Sequence, residues 1–247
     1  MTTCNPMSED CPANPALGTT AFFNFNQTPV AGTWQERVGV GRVYYDDNGA
    51  RFTIENTGHA PTLDSKFYIF WGRTEIWMKT AKGRGIISSV MLLSDDLDEI
   101  DLEFRGTNDT EVLTNYYGKG DEKSAVGGEY VLPGNTQEDY HNYTIVWTSE
   151  FLEWYVDGAK IRRLEPKDAK NGEWYPQTPM RLSLGIWAGG HPNNLPGVRE
   201  WAGGDTDYSQ GPFNMYVKSV HVEDYSKGKE YVYGDRTGSM NSIKIVA

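Results

Sequence analysis

The chain has little to hold it together covalently and nothing to carry it through a bilayer as a helix. Two cysteines in 247 residues cannot build a disulfide framework. A chain of this length buries roughly 70–75% of its extended surface, so it does not need one. No window approaches 18 consecutive apolar residues, which excludes a transmembrane helix. The segment after Met1, TTCNPMSEDCPANPALG, is too polar to be a signal peptide. Positive charge is scarce: 23 Lys and Arg stand against 34 Asp and Glu, a formal charge of −11. That balance disfavours nucleic acid and anionic membranes as partners, and the spread of the acids along the chain reads mostly as solubility. His59, His141, His191 and His221 are scattered rather than clustered. His141 reads as a structural hydrogen-bonder, not a catalytic base. No Gly-X-Ser-X-Gly elbow or phosphate-binding loop occurs, so serine esterase and phosphoryl-transfer chemistry lose support. Without internal repeats or a Pro/Ser-rich linker, one domain over 1–247 is expected.

The two cysteines that are present carry information. Cys4 and Cys11 sit seven apart in a Pro- and Asn-rich segment, with no further metal ligands nearby. A local disulfide is expected, stapling residues 1–18 and contributing roughly 2.5 kcal/mol in the loop-entropy model. Such a bridge implies an oxidising compartment. Three Asn-X-Thr sequons, at Asn26, Asn108 and Asn142, agree with secretion. The expectation is a secreted protein whose export signal was removed, with Met1 added for expression. Aromatic residues are abundant, with 15 Tyr and 8 Trp. Core packing accounts for most of them; the rest can form stacking platforms for flat ligands such as sugar rings.

Short β-rich runs recur between turn signals. RVYYDDNGARFTIE reads as a hairpin turning at Asn48-Gly49, and YTIVWTSEFLEWYVDG, MRLSLGIWAG and MYVKSVHVEDY read as strands. Only EPKDAKN suggests a helical turn or two. Evenly spaced strands, with no helix long enough for a parallel crossover, predict an antiparallel all-β sandwich.

One stretch, SDDLDEIDLEFRG at 94–106, breaks the pattern of dispersed charge. Strand side chains alternate faces, so Leu97, Glu99, Asp101 and Glu103 share one side. Asp98, Ile100, Leu102 and Phe104 share the other, and the last three can enter a core. Neighbouring carboxylates about 7 Å apart repel, and each raises its neighbours' proton affinity. A solvated acidic face would look like this. So would a glycosidase centre, which needs one carboxyl group protonated and another ionised, roughly 5–5.5 Å apart in retaining enzymes. Glu99 and Glu103 have Cα atoms about 13 Å apart on an extended strand, a gap that long side chains and sheet curvature reduce. Asp101 between them could share a proton with one glutamate. A straight strand cannot wrap an ion as a loop does, so no metal or other cofactor is expected.

DEIDLEF resembles the Glu-X-Asp-X-Glu signature of glycoside hydrolase family 16, whose members adopt a concanavalin-like β-jelly roll. Its spacing is similar to that of lichenases and xyloglucan endotransglycosylases rather than laminarinases, which carry one extra residue. YHNYTIVWTSEFLEWYVDG (140–158) resembles the family's His-X-Tyr…Trp-Tyr-Val-Asp-Gly hairpin, and TNYYGKG (114–120) a cleft strand of the transglycosylases. CNPMSEDCPANPALG (4–18), SDDLDEIDLEF, WAGGHPNNLPGVREWAGG (187–204) and TDYSQGPFNMYVKSV (206–220) together resemble the fungal Crh-type cell-wall transglycosylases.

The resemblance implies an all-β jelly roll of two antiparallel sheets with a concave substrate cleft. It implies Glu99 as nucleophile, Glu103 as general acid and then base, and Asp101 as the assisting carboxylate; the order of the glutamates comes from the family. Asn115 and Tyr117 share a face of the next strand and are taken as substrate-binding, leaving Tyr116 to the core. Trp187 and Trp201 bracket a Gly/Pro/Asn-rich loop and are taken as sugar-stacking residues, Trp201 on the acceptor side. The implied reaction cuts β-1,4-linked chitin with retention and transfers the fragment to chitin or β-1,3/β-1,6-glucan. A plain β-glucan or chitin hydrolase and a non-catalytic carbohydrate-binding jelly roll remain as alternatives. The implied partners are polysaccharides, for a monomer in the fungal cell wall. Crh-type proteins commonly continue into a Ser/Thr-rich region with a lipid-anchor signal, so anchoring of a full-length precursor stays open.

Overall fold

A computed structural model describes residues 4–37 and 40–247, so Met1 lies outside the described residues. Two antiparallel sheets pack face to face. The first has seven strands, in the order Gly128–Val131, Glu111–Tyr117, Glu99–Arg105, Ile86–Ser94, Met180–Ala188, Thr62–Ser65 and Trp34–Glu36. The second runs Ala159–Leu164, Leu152–Val156, His141–Trp147, Gly72–Lys79, Phe213–Asp224, Gly49–Ile54 and Arg42–Asp46. Its eighth strand, Thr20–Asn24, pairs with the far half of Phe213–Asp224. A small third sheet joins Asn14–Pro15, Glu230–Tyr233 and Ile243–Val246. The expected sandwich is present, and Cys4 and Cys11 are bridged, their Cα atoms 5.8 Å apart.

Alternation of side chains decides what faces inward. Ile100, Leu102 and Phe104 are 0–1% exposed and meet the second sheet, where the Phe104 and Tyr143 rings lie 4.7 Å apart. Burying each such side chain contributes about 1.5–3 kcal/mol. A one-residue slip would send all three into water and the carboxylates into the core, so the register is strongly fixed. From the opposite sheet, the buried Trp154 indole N–H donates to the Asp101 carbonyl at 3.2 Å, clamping the strand from behind.

Three sequence expectations need correction. The hairpin turns at Asp47-Asn48: Asp46 pairs with Gly49, whose φ of 106° takes up the left-handed conformation after the turn. The loop between Trp187 and Trp201 contains the helical turn Pro196–Trp201, opened by a proline at its start. Leu97 does not share the strand of Glu99. It sits in a tight turn with φ of 67°, and the alternation starts at Glu99. EPKDAKN forms short 3₁₀ turns, Pro166–Asp168 and Lys170–Gly172.

Candidate active site

The turn and the strand that follows it divide the acidic run into two groups. Asp95, Asp96 and Asp98 are buried. Asp95 accepts from Asn14 Nδ2 (2.7 Å) and Tyr68 OH (2.9 Å). Asp96 accepts from Ser94 and Thr178 hydroxyls, with Lys119 Nζ 3.1 Å away. Asp98 takes the Lys119 ammonium, the Lys119 and Gln177 backbone N–H groups and the Thr178 hydroxyl. Buried as they are, these acids tie the turn to four other segments, at Asn14, Tyr68, Lys119 and Gln177 with Thr178.

Beyond the turn, Glu99, Asp101 and Glu103 project from the outer face of the seven-stranded sheet. The register spreads them into three rows. Glu103 lies between Leu113 and Ser89, and the row continues to Gly185 and Thr62. Asp101 lies between Asn115 and Met91, continuing to Ser183 and Asp64. Glu99 lies between Tyr117 and Leu93, continuing to Arg181. A Cβ on Gly185 would come within 3.0 Å of Thr62 Oγ1, so glycine keeps the floor low there. The rows line a cleft of about 270 Å³, walled by Arg37, Trp187 and the three carboxylates. Arg37 is held by Asp64 (2.8 and 3.0 Å) and Ser183 (3.2 Å).

No cation pairs with the triad among the described residues, and burial works against each charge. Asp101 is pushed furthest above the ordinary carboxylate range, first by burial, then by Glu99 and Glu103, with its proton shared toward Glu99. Glu103 is pushed up to about 7 by burial and by the Glu99 charge, against a hydrogen bond to the Trp187 side chain that lowers it. Burial also raises Glu99, opposed by the hydrogen bond from Asp101. The environments thus separate three carboxyl groups by proton affinity, as paired acid and base work requires.

The expected cleft residues fall in different places. Asn115 and Tyr117 flank Asp101 and Glu99, joined by an Asn115 Nδ2 to Tyr117 OH bond of 3.2 Å. Tyr117 is raised to about 12, by burial first and then by the three carboxylates, while Tyr116 is core, as the alternation implied. Trp187 lines the cleft, but Trp201 does not. Trp201 stacks on Trp187, centroids 6.1 Å apart and planes at 22°, and lines a second cavity of about 350 Å³. Asn115, Glu129 and Glu103 also line that cavity, so Glu103 stands between the two. Arg37, Ser89, Met91, Thr62 and Ser183 were not found from the sequence, because only cross-strand register brings them to the triad. His141 sits on the other sheet, its Nδ1 2.6 Å from Asp157. Ligand atoms of Glu75, His221 and Glu223 lie within 4.8 Å of one another on that sheet, though Arg73 and Asn142 already bond Glu75.

The sequence profile of the glycosyl hydrolases family 16 matches residues 31–210. The chain belongs to that family. It is 49% identical to Crh-like protein 2 of Botryotinia fuckeliana, over 100% of this chain but 55% of that protein. Against other Crh-like proteins it likewise spans little more than half their length. An apo Crh5 transglycosylase structure superposes with a TM-score of 0.93 at 47% identity, covering 98% of this chain and 100% of that one. The same transglycosylase in complex with NAG superposes equally well, at 46% identity and the same coverage. These matches establish the family 16 jelly roll and a carbohydrate-acting fold. Among the described residues, no helix is long and apolar enough to cross a membrane.

Proposed function

We propose that the chain is one catalytic domain of a retaining transglycosylase of the fungal cell wall, cutting β-1,4-linked chitin and passing the fragment to chitin or β-1,3/β-1,6-glucan. The observation that carries this reading is the placement of Glu103, raised to about 7, between two cavities and beside an intact carboxylate row. The similarity to a transglycosylase solved with NAG supports a chitin-type donor. The Cys4–Cys11 bridge supports secretion.

In the free enzyme near pH 6, Glu103 is largely protonated. It gives its proton to the leaving glycosidic oxygen while ionised Glu99 attacks the anomeric carbon. Asp101 keeps its proton on the Glu99 side, which orients the nucleophile. Once Glu99 becomes an ester its charge is gone, and with it the repulsion that raised Glu103. Glu103 therefore becomes a weaker base for its proton at the moment it must lose it, and ends the step ionised. It then deprotonates the incoming group. Water and a sugar hydroxyl compete there. A sugar held in line gains a large effective concentration, and the cavity bordered by Trp201 and Asn115 is suited to hold it.

The test is product analysis with chitin oligosaccharides and a fluorescent glucan acceptor, comparing wild type with Glu99→Gln. Labelled hybrid products that disappear in the variant are expected. Shortened oligomers without hybrids would replace transfer by hydrolysis. Binding without turnover would replace both by a carbohydrate-binding role.

A further inference from the structure

The outer face of the eight-stranded sheet carries a feature the reaction does not use. Trp77 lies in the Gly72–Lys79 strand between the fully buried Ile76 and Met78, yet its own side chain is 41% exposed. Among the described residues no ring stacks on it. Directly opposite in the antiparallel pair is Asn142, the first residue of the sequon Asn142-Tyr143-Thr144. Opposed residues hold their Cβ atoms about 4.5–5.5 Å apart. Tyr143 points into the core, so Asn142 and Thr144 share the outer face with Trp77.

The Asn142 amide is already oriented. Thr144 Oγ1 donates to its Oδ1 at 2.7 Å, and its Nδ2 donates one hydrogen to Glu75 Oε2 at 3.1 Å. Its backbone N–H is held by Asp157 Oδ1 at 2.8 Å. The second Nδ2 hydrogen has no acceptor among the described residues. Neither of the other sequon asparagines, Asn26 and Asn108, lies in a strand, so neither has such a cross-strand partner.

We propose that Asn142 carries an N-linked glycan whose first sugar rests on the Trp77 indole. In the modification, Nδ2 bonds to the anomeric carbon of a lipid-diphosphate-linked oligosaccharide. The diphosphate leaves with the C–O electron pair, and the displaced amide proton goes to a base of the transferase. The modified amide keeps one N–H for Glu75. A pyranose has an apolar face of C–H groups that packs on an aromatic ring, which accounts for an indole otherwise left in water. The proposal rests on the secretory part of the reading above, and its readout is independent of transfer activity.

The test uses the chain in a Thr28→Ala background, which removes the Asn26 sequon at an exposed threonine. It is secreted from a fungal host with and without tunicamycin, and glycans are trimmed to a single GlcNAc. Peptide mass spectrometry should find Asn142 modified in most copies. The single-sugar form should melt about 2–4 °C above the unmodified chain, and Trp77→Ala should abolish that difference. A glycan at Asn108, in a loop of the other sheet, contributes equally in every background, so its share is read in Asn142→Gln and subtracted from each increment. An unmodified Asn142 in the secreted chain, or an increment that survives Trp77→Ala, would overturn the proposal.

Discussion

Two acidic trios, one residue apart in the chain, behave in opposite ways. Asp95, Asp96 and Asp98 are buried more completely than the row that follows, yet they meet an ammonium, hydroxyls and backbone N–H groups. Glu99, Asp101 and Glu103 border open space and meet chiefly one another. Charge density does not distinguish structure from chemistry. The supply of donors does: the turn is electrostatically satisfied, and the strand is left frustrated, as the proposed proton transfers require.

That contrast breaks most sharply at Glu99, the proposed nucleophile. Glu99→Gln should lower transfer on the order of 10⁴-fold, measured as hybrid product per hour. Its thermal midpoint should stay level or rise, because one of three crowded anions is gone. If activity persists, the row is not the reacting group. Glu103→Gln should cost about 10²–10⁴-fold and remove the alkaline limb of the kcat/KM profile near pH 7. The sign follows from its role, since the acid is lost as pH rises through its raised pKa.

The turn should fail differently. Lys119→Met takes the cation from Asp96 and Asp98 and should cost about 3–5 kcal/mol in urea unfolding. Asp98, already raised to about 6 by burial against the pull of Lys119, would rise further. A carboxyl raised in the folded state favours folding at low pH and loses that contribution as pH climbs through the folded value. The variant's deficit should therefore be larger at pH 8 than at pH 5. A deficit independent of pH would show that packing, not charge, is what Lys119 supplies. The smallest effect is expected at Trp187→Phe. Losing the hydrogen bond that lowers Glu103 should move the alkaline limb upward by under about one pH unit, a shift visible only in a full pH–rate profile.

Much of this was legible in the sequence, and the reason is periodicity. Ile100, Leu102 and Phe104 against Glu99, Asp101 and Glu103 declare two faces without any knowledge of the fold. The same rule separated Tyr116 from Tyr117. It failed one residue earlier, where Leu97 and Asp98 leave the strand for a turn that hydroxyl and carboxylate hydrogen bonds build. It was also blind to Arg37, Ser89 and Ser183. Ser89 and Ser183 come from other strands and Arg37 from just past the edge strand, so only pairing register and the Asp64 contact place them beside the triad. Trp201 illustrates a third limit: the sequence did not reveal that it stacks on Trp187 and borders a cavity separate from the one Trp187 lines.

The hydrogen bond from Trp154 to the Asp101 carbonyl has a thermal consequence. A catalytic group carried on a loop loosens before its scaffold melts, and its rate bends away from a straight Arrhenius line early. Here the strand that carries the proposed reacting groups is pinned to the opposite sheet through the molecule's interior, so it has no private softening point. Rate should climb with temperature along a single slope and then fall abruptly, at the same temperature at which the sandwich itself comes apart.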